Sequence, residues 1–204
     1  MSVKLKGIDV CGYQGKIDFK KVKASGVDFV IVKAGYSTST VDTWETNYKN
    51  AHDAGLLVGA YWYSTTTTLS GGKKEAQAFI KALSGKQFEF PVYFDLEETD
   101  TFNKGKEFCS DLVETFCGEL EDAGYFPGVY CSTYWYTKYV NDNVRLKYPT
   151  FIADYRDKCG YTGSYGIWQY GNSGTVPGVQ YSCDLAWGYT DYSRIIKNKH
   201  LNGF

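Results

Sequence analysis

Pro91-Val92-Tyr93-Phe94-Asp95-Leu96-Glu97-Glu98 begins as a short apolar run and then delivers three carboxylates within four positions. An apolar run of this length reads as a buried strand. Side chains alternate faces along a strand, so Asp95 and Glu97 point one way and Glu98 the other. At a rise of about 3.3 Å per residue, the first two carboxylates start roughly 6–7 Å apart. Like charges held this close at the end of a buried strand are costly unless chemistry uses them. Paired carboxylates serve glycoside hydrolysis, one donating a proton and the other stabilising positive charge at the sugar carbon. The plainer reading is a strand end whose acids are solvated or cap the next helix, so the rest of the chain has to decide.

Outward from this stretch the chain repeats one pattern. Strands are predicted at Leu5 to Val10, Val27 to Lys33, Leu56 to Tyr63, Pro91 to Glu97 and Pro127 to Cys131. The helices between them fall at Phe19 to Ala24, Thr43 to Ala54, Gly72 to Leu83 and Lys104 to Ala123, each followed by a glycine at 26, 55, 85 or 124. Helix, capping glycine, strand, four times over, is the rhythm of a βα barrel. A fifth helical stretch lies between Tyr134 and Lys147. Beyond Pro149 the short strands Thr150 to Ala153, Gly166 to Tyr170 and Gln180 to Leu185 leave little room for helices. The predicted fold class is α/β: an irregular TIM-like barrel of eight strands and about five helices, the last three strands lacking full helices. Its 204 residues fall below the ~250 of a regular barrel.

Such barrels place chemistry at the C-terminal ends of their strands. Those ends read Asp9, Lys33, Tyr61, Asp95 with Glu97, Tyr130, Asp154, Gln169 and Asp184. Asp9 or Asp184 alone would be an ordinary loop acid. Converging on one mouth, they make an acidic pocket.

Composition narrows the classes. Aromatic residues reach 18%, including 19 Tyr, more than a core requires and suited to stacking on sugar rings. With 22 basic against 23 acidic residues and no basic stripe, nucleic acid is not expected as a partner. No apolar run is long enough to cross a membrane, and Met1 to Lys6 lacks the apolar core of a signal peptide. The six cysteines show no C-x-x-C spacing, so zinc and redox motifs are poorly supported and free, mostly buried thiols are expected. With two histidines, no G-x-S-x-G and no phosphate loop, triad and nucleotide chemistry lack their parts. A metal held by carboxylates alone stays open, as does a sugar-binding barrel without catalysis.

Taken together, Gly7-Ile8-Asp9-Val10, Phe29 to Ala34, Val58 to Ser64, Val92 to Glu98, Ile167 to Tyr170 and Asp184-Leu185 resemble the glycoside hydrolase family 25 lysozymes, found in phage endolysins and bacterial autolysins. The resemblance spans essentially the whole chain and implies one catalytic domain over residues 1–204. It implies hydrolysis of the β-1,4 bond between N-acetylmuramic acid and N-acetylglucosamine in peptidoglycan, without cofactor or metal. Chitin is the alternative glycan. Carried over by position, Glu97 is the general acid. Asp95 stabilises positive charge or orients the substrate's N-acetyl group, Asp9 and Asp184 tune Glu97, and Lys33, Tyr61, Tyr130 and Gln169 line the groove. The resemblance further implies a monomer acting outside the cell on the bacterial wall, reached after lysis or as part of a longer exported chain. Three features depart from the family pattern: Trp62, expected to alter groove contacts, Asp154, expected to bear on subsite preference, and the cysteines Cys11 and Cys183, whose oxidation is expected to impair the mouth.

Overall fold

A computed structural model of the chain describes residues 3–204; Met1 and Ser2, at the start of the segment read for a leader, lie outside it. The first half follows the expected alternation. Strand β1 (Leu5–Val10) leads through a short 3-10 turn to α1 (Phe19–Ala24), then β2 (Phe29–Tyr36) and a two-residue strand β3 (Ser39–Thr40). Next come α2 (Trp44–Asp53), β4 (Leu57–Tyr63), α3 (Leu69–Leu83), β5 (Val92–Asp95), α4 (Thr99–Phe102), α5 (Lys106–Asp122) and β6 (Pro127–Ser132). Then α6 (Thr133–Tyr139), α7 (Asp142–Lys147), β7 (Thr150–Ala153), β8 (Ile167–Gly174), β9 (Cys183–Gly188) and α8 (Tyr192–Asn198) complete the chain.

Eight of these strands close a barrel. β1, β2, β4, β5, β6, β7 and β8 run parallel in that order, and β9 joins β8 to β1 antiparallel to both. The α/β barrel and its strand number are as expected, but the described residues form eight helices rather than about five. The additional ones are short: α4 has four residues, the stretch after Tyr134 splits where Val140 and Asn141 are extended, and α8 follows the last strand. Segments of four to seven residues hold too few turns for hydrophobic periodicity to register. β7 and β8 have no helix after them, as predicted.

The last strand is the main departure. It begins at Cys183 rather than ending near Leu185, and its direction is reversed. A reversed strand presents its N-terminal end at the mouth where its parallel neighbours present their C-terminal ends. Asp184, second in β9, therefore lies directly opposite Asp9.

Period-two alternation builds the barrel interior in layers. Phe29, Ile31, Tyr93, Phe151, Ile167 and Ala186 form an apolar layer, and the next inward position on several strands carries the polar group above it. Ile31 is followed by Lys33, Tyr93 by Asp95, and Ile167 by Gln169. Small residues make space for the rings: a methyl group on Gly7 would stand 2.0 Å from the Phe29 ring, and one on Gly128 2.6 Å from Tyr93. A second, larger core fills the space between barrel and helices, where Ala76, Phe79 and Leu83 of α3 meet Leu112, Phe116 and Leu120 of α5.

The base of the barrel is latched by the C-terminal tail. Asn202 is fully buried; its Oδ1 accepts from Phe126 N–H at 2.7 Å, and its Nδ2 donates to Phe90 O at 2.9 Å and Phe88 O at 3.3 Å. Its φ of +54° also suits Asn better than Ala. Asn202→Ala strands the buried carbonyls of Phe88 and Phe90 and the part-buried N–H of Phe126, so we expect a loss of about 2–4 kcal/mol in urea unfolding.

Candidate active site

All four predicted acids meet at one end of the barrel. A cavity of about 70 Å³ is lined by Asp9, Tyr61, Asp95, Glu97, Tyr130, Phe151 and Asp184. It opens past Glu97 and Tyr130 into a groove of about 990 Å³.

Asp95 closes β5 and is 4% exposed; no hydrogen-bond partner reaches its Oδ1. The main chain around it is firmly held, because Ser64 N–H donates to Asp95 O and Leu96 N–H to Tyr130 O. Glu97 lies two residues beyond the strand, exposed on the groove side and hemmed by protein on the others. Glu98 turns away from both, accepting a 2.6 Å hydrogen bond from the Tyr63 hydroxyl.

The four carboxyls do not titrate as isolated groups. Burial, then the charge of Glu97, pushes Asp95 well above the usual carboxylate range, with Lys33 opposing. Burial also raises Glu97, again against Lys33, with Asp184 and Glu98 adding to the rise. Asp9 and Asp184 stand opposite each other on β1 and β9; burial raises both, and the charge of Asp184 raises Asp9 further. Such a cluster retains protons to higher pH than free carboxyls do.

Lys33 is the counterweight. Its Nζ stands 4.6 Å from the Tyr63 ring centroid and 5.7 Å from that of Tyr61. It lines neither cavity, so its influence on the acids is its field. Lys33→Met removes that field, and the Asp95 and Glu97 carboxyls are expected to titrate at higher pH, read from carboxyl carbon-13 shifts. Unmoved titrations would mean that solvent screens the lysine.

Gln169 also lies outside the cavity lining expected for it. It is 1% exposed and sits behind Asp9, donating Nε2–H to Asp9 Oδ2 at 2.9 Å. Tyr61 and Tyr130 do line the pocket. Asp154 is out of phase with the inward residues Phe151 and Ala153 and stays out of the acidic cavity. Its carboxylate is satisfied by Arg156, by Thr133 Oγ1 at 3.1 Å and by Gly160 N–H at 2.8 Å. Trp62 is fully buried against Phe79, with Nε1–H bonded to Ser37 O, so it belongs to the outer core and not to the groove.

All six cysteines are free, and Cys109, Cys117, Cys131 and Cys183 are buried. Burial pushes the Cys183 thiol up to about 12 and raises Cys11 as well. The reactive thiolate is therefore scarce beside the acids.

Several groove residues escape a reading of the sequence. Tyr134 and Trp135 at the start of α6, and Tyr155, Arg156 and Thr162 in the loop between β7 and β8, form its walls. Their signal is present in outline: adjacent aromatics stand just beyond a strand end, where a barrel exposes its loops.

Known proteins resemble this chain in sequence and fold. Residues 8–179 match the model of the family described as glycosyl hydrolases family 25, a span that stops short of Asp184. The chain is 34% identical over 183 residues to an autolytic lysozyme of Clostridium acetobutylicum, covering 89% of this chain and 55% of that protein. It is 26% identical to lysozyme M1 of Streptomyces globisporus, covering 88% and 66% of the two. The chain thus spans between half and two thirds of the curated relatives it matches. The crystal structure of the CTP1L endolysin superposes with a TM-score of 0.83 at 26% identity, covering 95% of this chain and 70% of that one.

Proposed function

This chain belongs to glycosyl hydrolases family 25, and from that premise we propose that it is a peptidoglycan muramidase cleaving the β-1,4 bond between N-acetylmuramic acid and N-acetylglucosamine. The carrying observation is the cavity in which Asp9, Asp95, Glu97 and Asp184 meet at the floor of a long groove. The names of the two lysozyme relatives support the same reading.

Glu97 is the general acid. It is the member of the cluster that faces the groove, where a glycosidic oxygen can reach it, and the protein around it raises its carboxyl, which favours the protonated form. Asp95, deeper and with an unpartnered oxygen, faces positive charge developing at the sugar carbon, or holds the N-acetyl group that attacks it. Asp9 and Asp184 tune Glu97 by their shared charge. Tyr61 and Tyr130 bound the reacting sugar, and Tyr134, Trp135 and Tyr155 offer faces for neighbouring rings. Lys33 and Gln169 act on the acids rather than on the sugar. Residues 1–204 act as one catalytic domain, a monomer working without a cofactor on glycan strands outside the cell. Among the described residues no helix is long and apolar enough to cross a membrane.

The test is digestion of purified peptidoglycan with and without EDTA, followed by borohydride reduction of the new ends. Muramitol is expected in both. Glucosaminitol would move the cleaved bond, chitin fragments alone would change the substrate, and binding without new ends would leave a sugar-binding barrel. Since Glu97 acts protonated and its carboxyl is raised, activity should persist above the ordinary glutamate value of about 4.3 and then fall on the alkaline side. A profile flat through neutral and alkaline pH would remove Glu97 from the acid role.

A further inference from the structure

Tyr155 and Gln169 take part in an arrangement that sugar binding does not require. The Tyr155 hydroxyl donates to Gln169 Oε1 at 2.7 Å, and the Tyr130 hydroxyl donates to the same oxygen at 2.9 Å. With Oε1 taken by two hydroxyls, the amide nitrogen is left facing Asp9 Oδ2. A carboxylate accepts only, so this orientation satisfies every member. Tyr155 is also fixed at its root: Asp154 N–H donates to Gln169 O, and Trp168 Nε1–H donates to Asp154 O at 2.8 Å. Yet the Tyr155 side chain is 52% exposed on the groove wall. One chain of hydrogen bonds therefore runs from the groove surface to the carboxyl pair at the floor.

The geometry points to Tyr155 and Gln169 as positioning residues that keep an N–H on Asp9 Oδ2 and so set how readily the Asp9–Asp184 pair takes up a proton. This goes beyond the muramidase reading in naming what controls the proton inventory of the cluster, and it rests on that reading for its effect on turnover.

The groups facing the pair are Cys183 on β9, Cys11 just past β1, Lys33 on β2, Tyr61 on β4, Asp95 at the end of β5 with Glu97 just beyond it, and Tyr130 on β6. Burial pushes the Tyr155 hydroxyl up to about 12, so it remains a donor throughout the working range. An N–H donated to Asp9 favours its ionised form. When that donor is lost or turns away, the pair keeps its proton to higher pH and carries less negative charge beside Glu97. Glu97 then gives up its own proton at lower pH.

The experiment compares wild type, Tyr155→Phe and Gln169→Leu. Carboxyl carbon-13 shifts of aspartate-labelled protein follow the pair directly, and peptidoglycan turnover is measured across pH. In Tyr155→Phe the pair is expected to titrate about half a pH unit higher, with the alkaline limb of kcat moving to lower pH and KM changing little. In Gln169→Leu both shifts should be larger and of the same sign. Circular dichroism checks that each variant is folded. A raised KM with unmoved titrations would make Tyr155 a sugar contact only and overturn the inference. Loss of activity with no shift in either titration would reduce both residues to packing, and overturn it too. A wild type that releases no muramitol would sink the muramidase proposal instead, while the carbon-13 titrations would still decide the relay.

Discussion

Glu97→Gln is expected to lower kcat for muramitol release by about 10²–10⁴-fold, the usual contribution of a positioned general acid. Glutamine keeps the size and hydrogen-bonding reach of the side chain and removes the transferable proton. Because Glu97 is exposed at the mouth and outside any strand, its replacement leaves core and ladder intact. The wild-type alkaline limb should disappear with the group that produces it. Binding of glycan fragments should survive, since Tyr130, Tyr134 and Trp135 still line the groove. Release of muramitol at the wild-type rate would take Glu97 out of the mechanism.

Asp95→Asn is expected to separate activity from stability in opposite directions. Turnover should fall by about 10²–10³-fold, as when a preorganised charge is removed from a developing ion. Stability should rise at neutral pH. Burial and the charge of Glu97 hold the folded-state value of Asp95 above its unfolded one. Below the ordinary aspartate value of about 3.9, both states are protonated and burial exacts no ionisation cost. As pH rises from there, the unfolded chain ionises first and the wild type loses stability until the folded-state value is passed. Asparagine never ionises, so the variant's advantage should be absent in acid, grow with pH and then level off. Each kcal/mol of that advantage raises Tm by about 2–4 °C in a domain of this size. A variant less stable than wild type at every pH would mean that the Asp95 carboxylate holds the fold together, contrary to its orphaned Oδ1.

The early strands up to Cys131, the longer helices between them and the pairing of Asp95 with Glu97 are legible in the amino-acid sequence itself. They are written in local rules: apolar runs with two-residue alternation, helical stripes and helix-ending glycines. Gly26, Gly55, Gly85 and Gly124 all adopt the positive φ that their positions imply. The alternation also carries a warning about Asp154, which falls on the wrong parity from Phe151 to enter the pocket.

What lies beyond the sequence is relational. The direction of β9 depends on its partners, and the residues Cys183 to Gly188 form a ladder in either sense. Only closure against β1 decides that the strand is reversed and that Asp184 faces Asp9. Gln169 reads as a groove residue because strand ends are polar at a mouth, but Tyr130 and Tyr155, 39 and 14 residues away, cover it and turn it toward Asp9. Chain-local chemistry determined which side chains reach the mouth. Contacts between distant segments decided which of them face the sugar and which govern the protons.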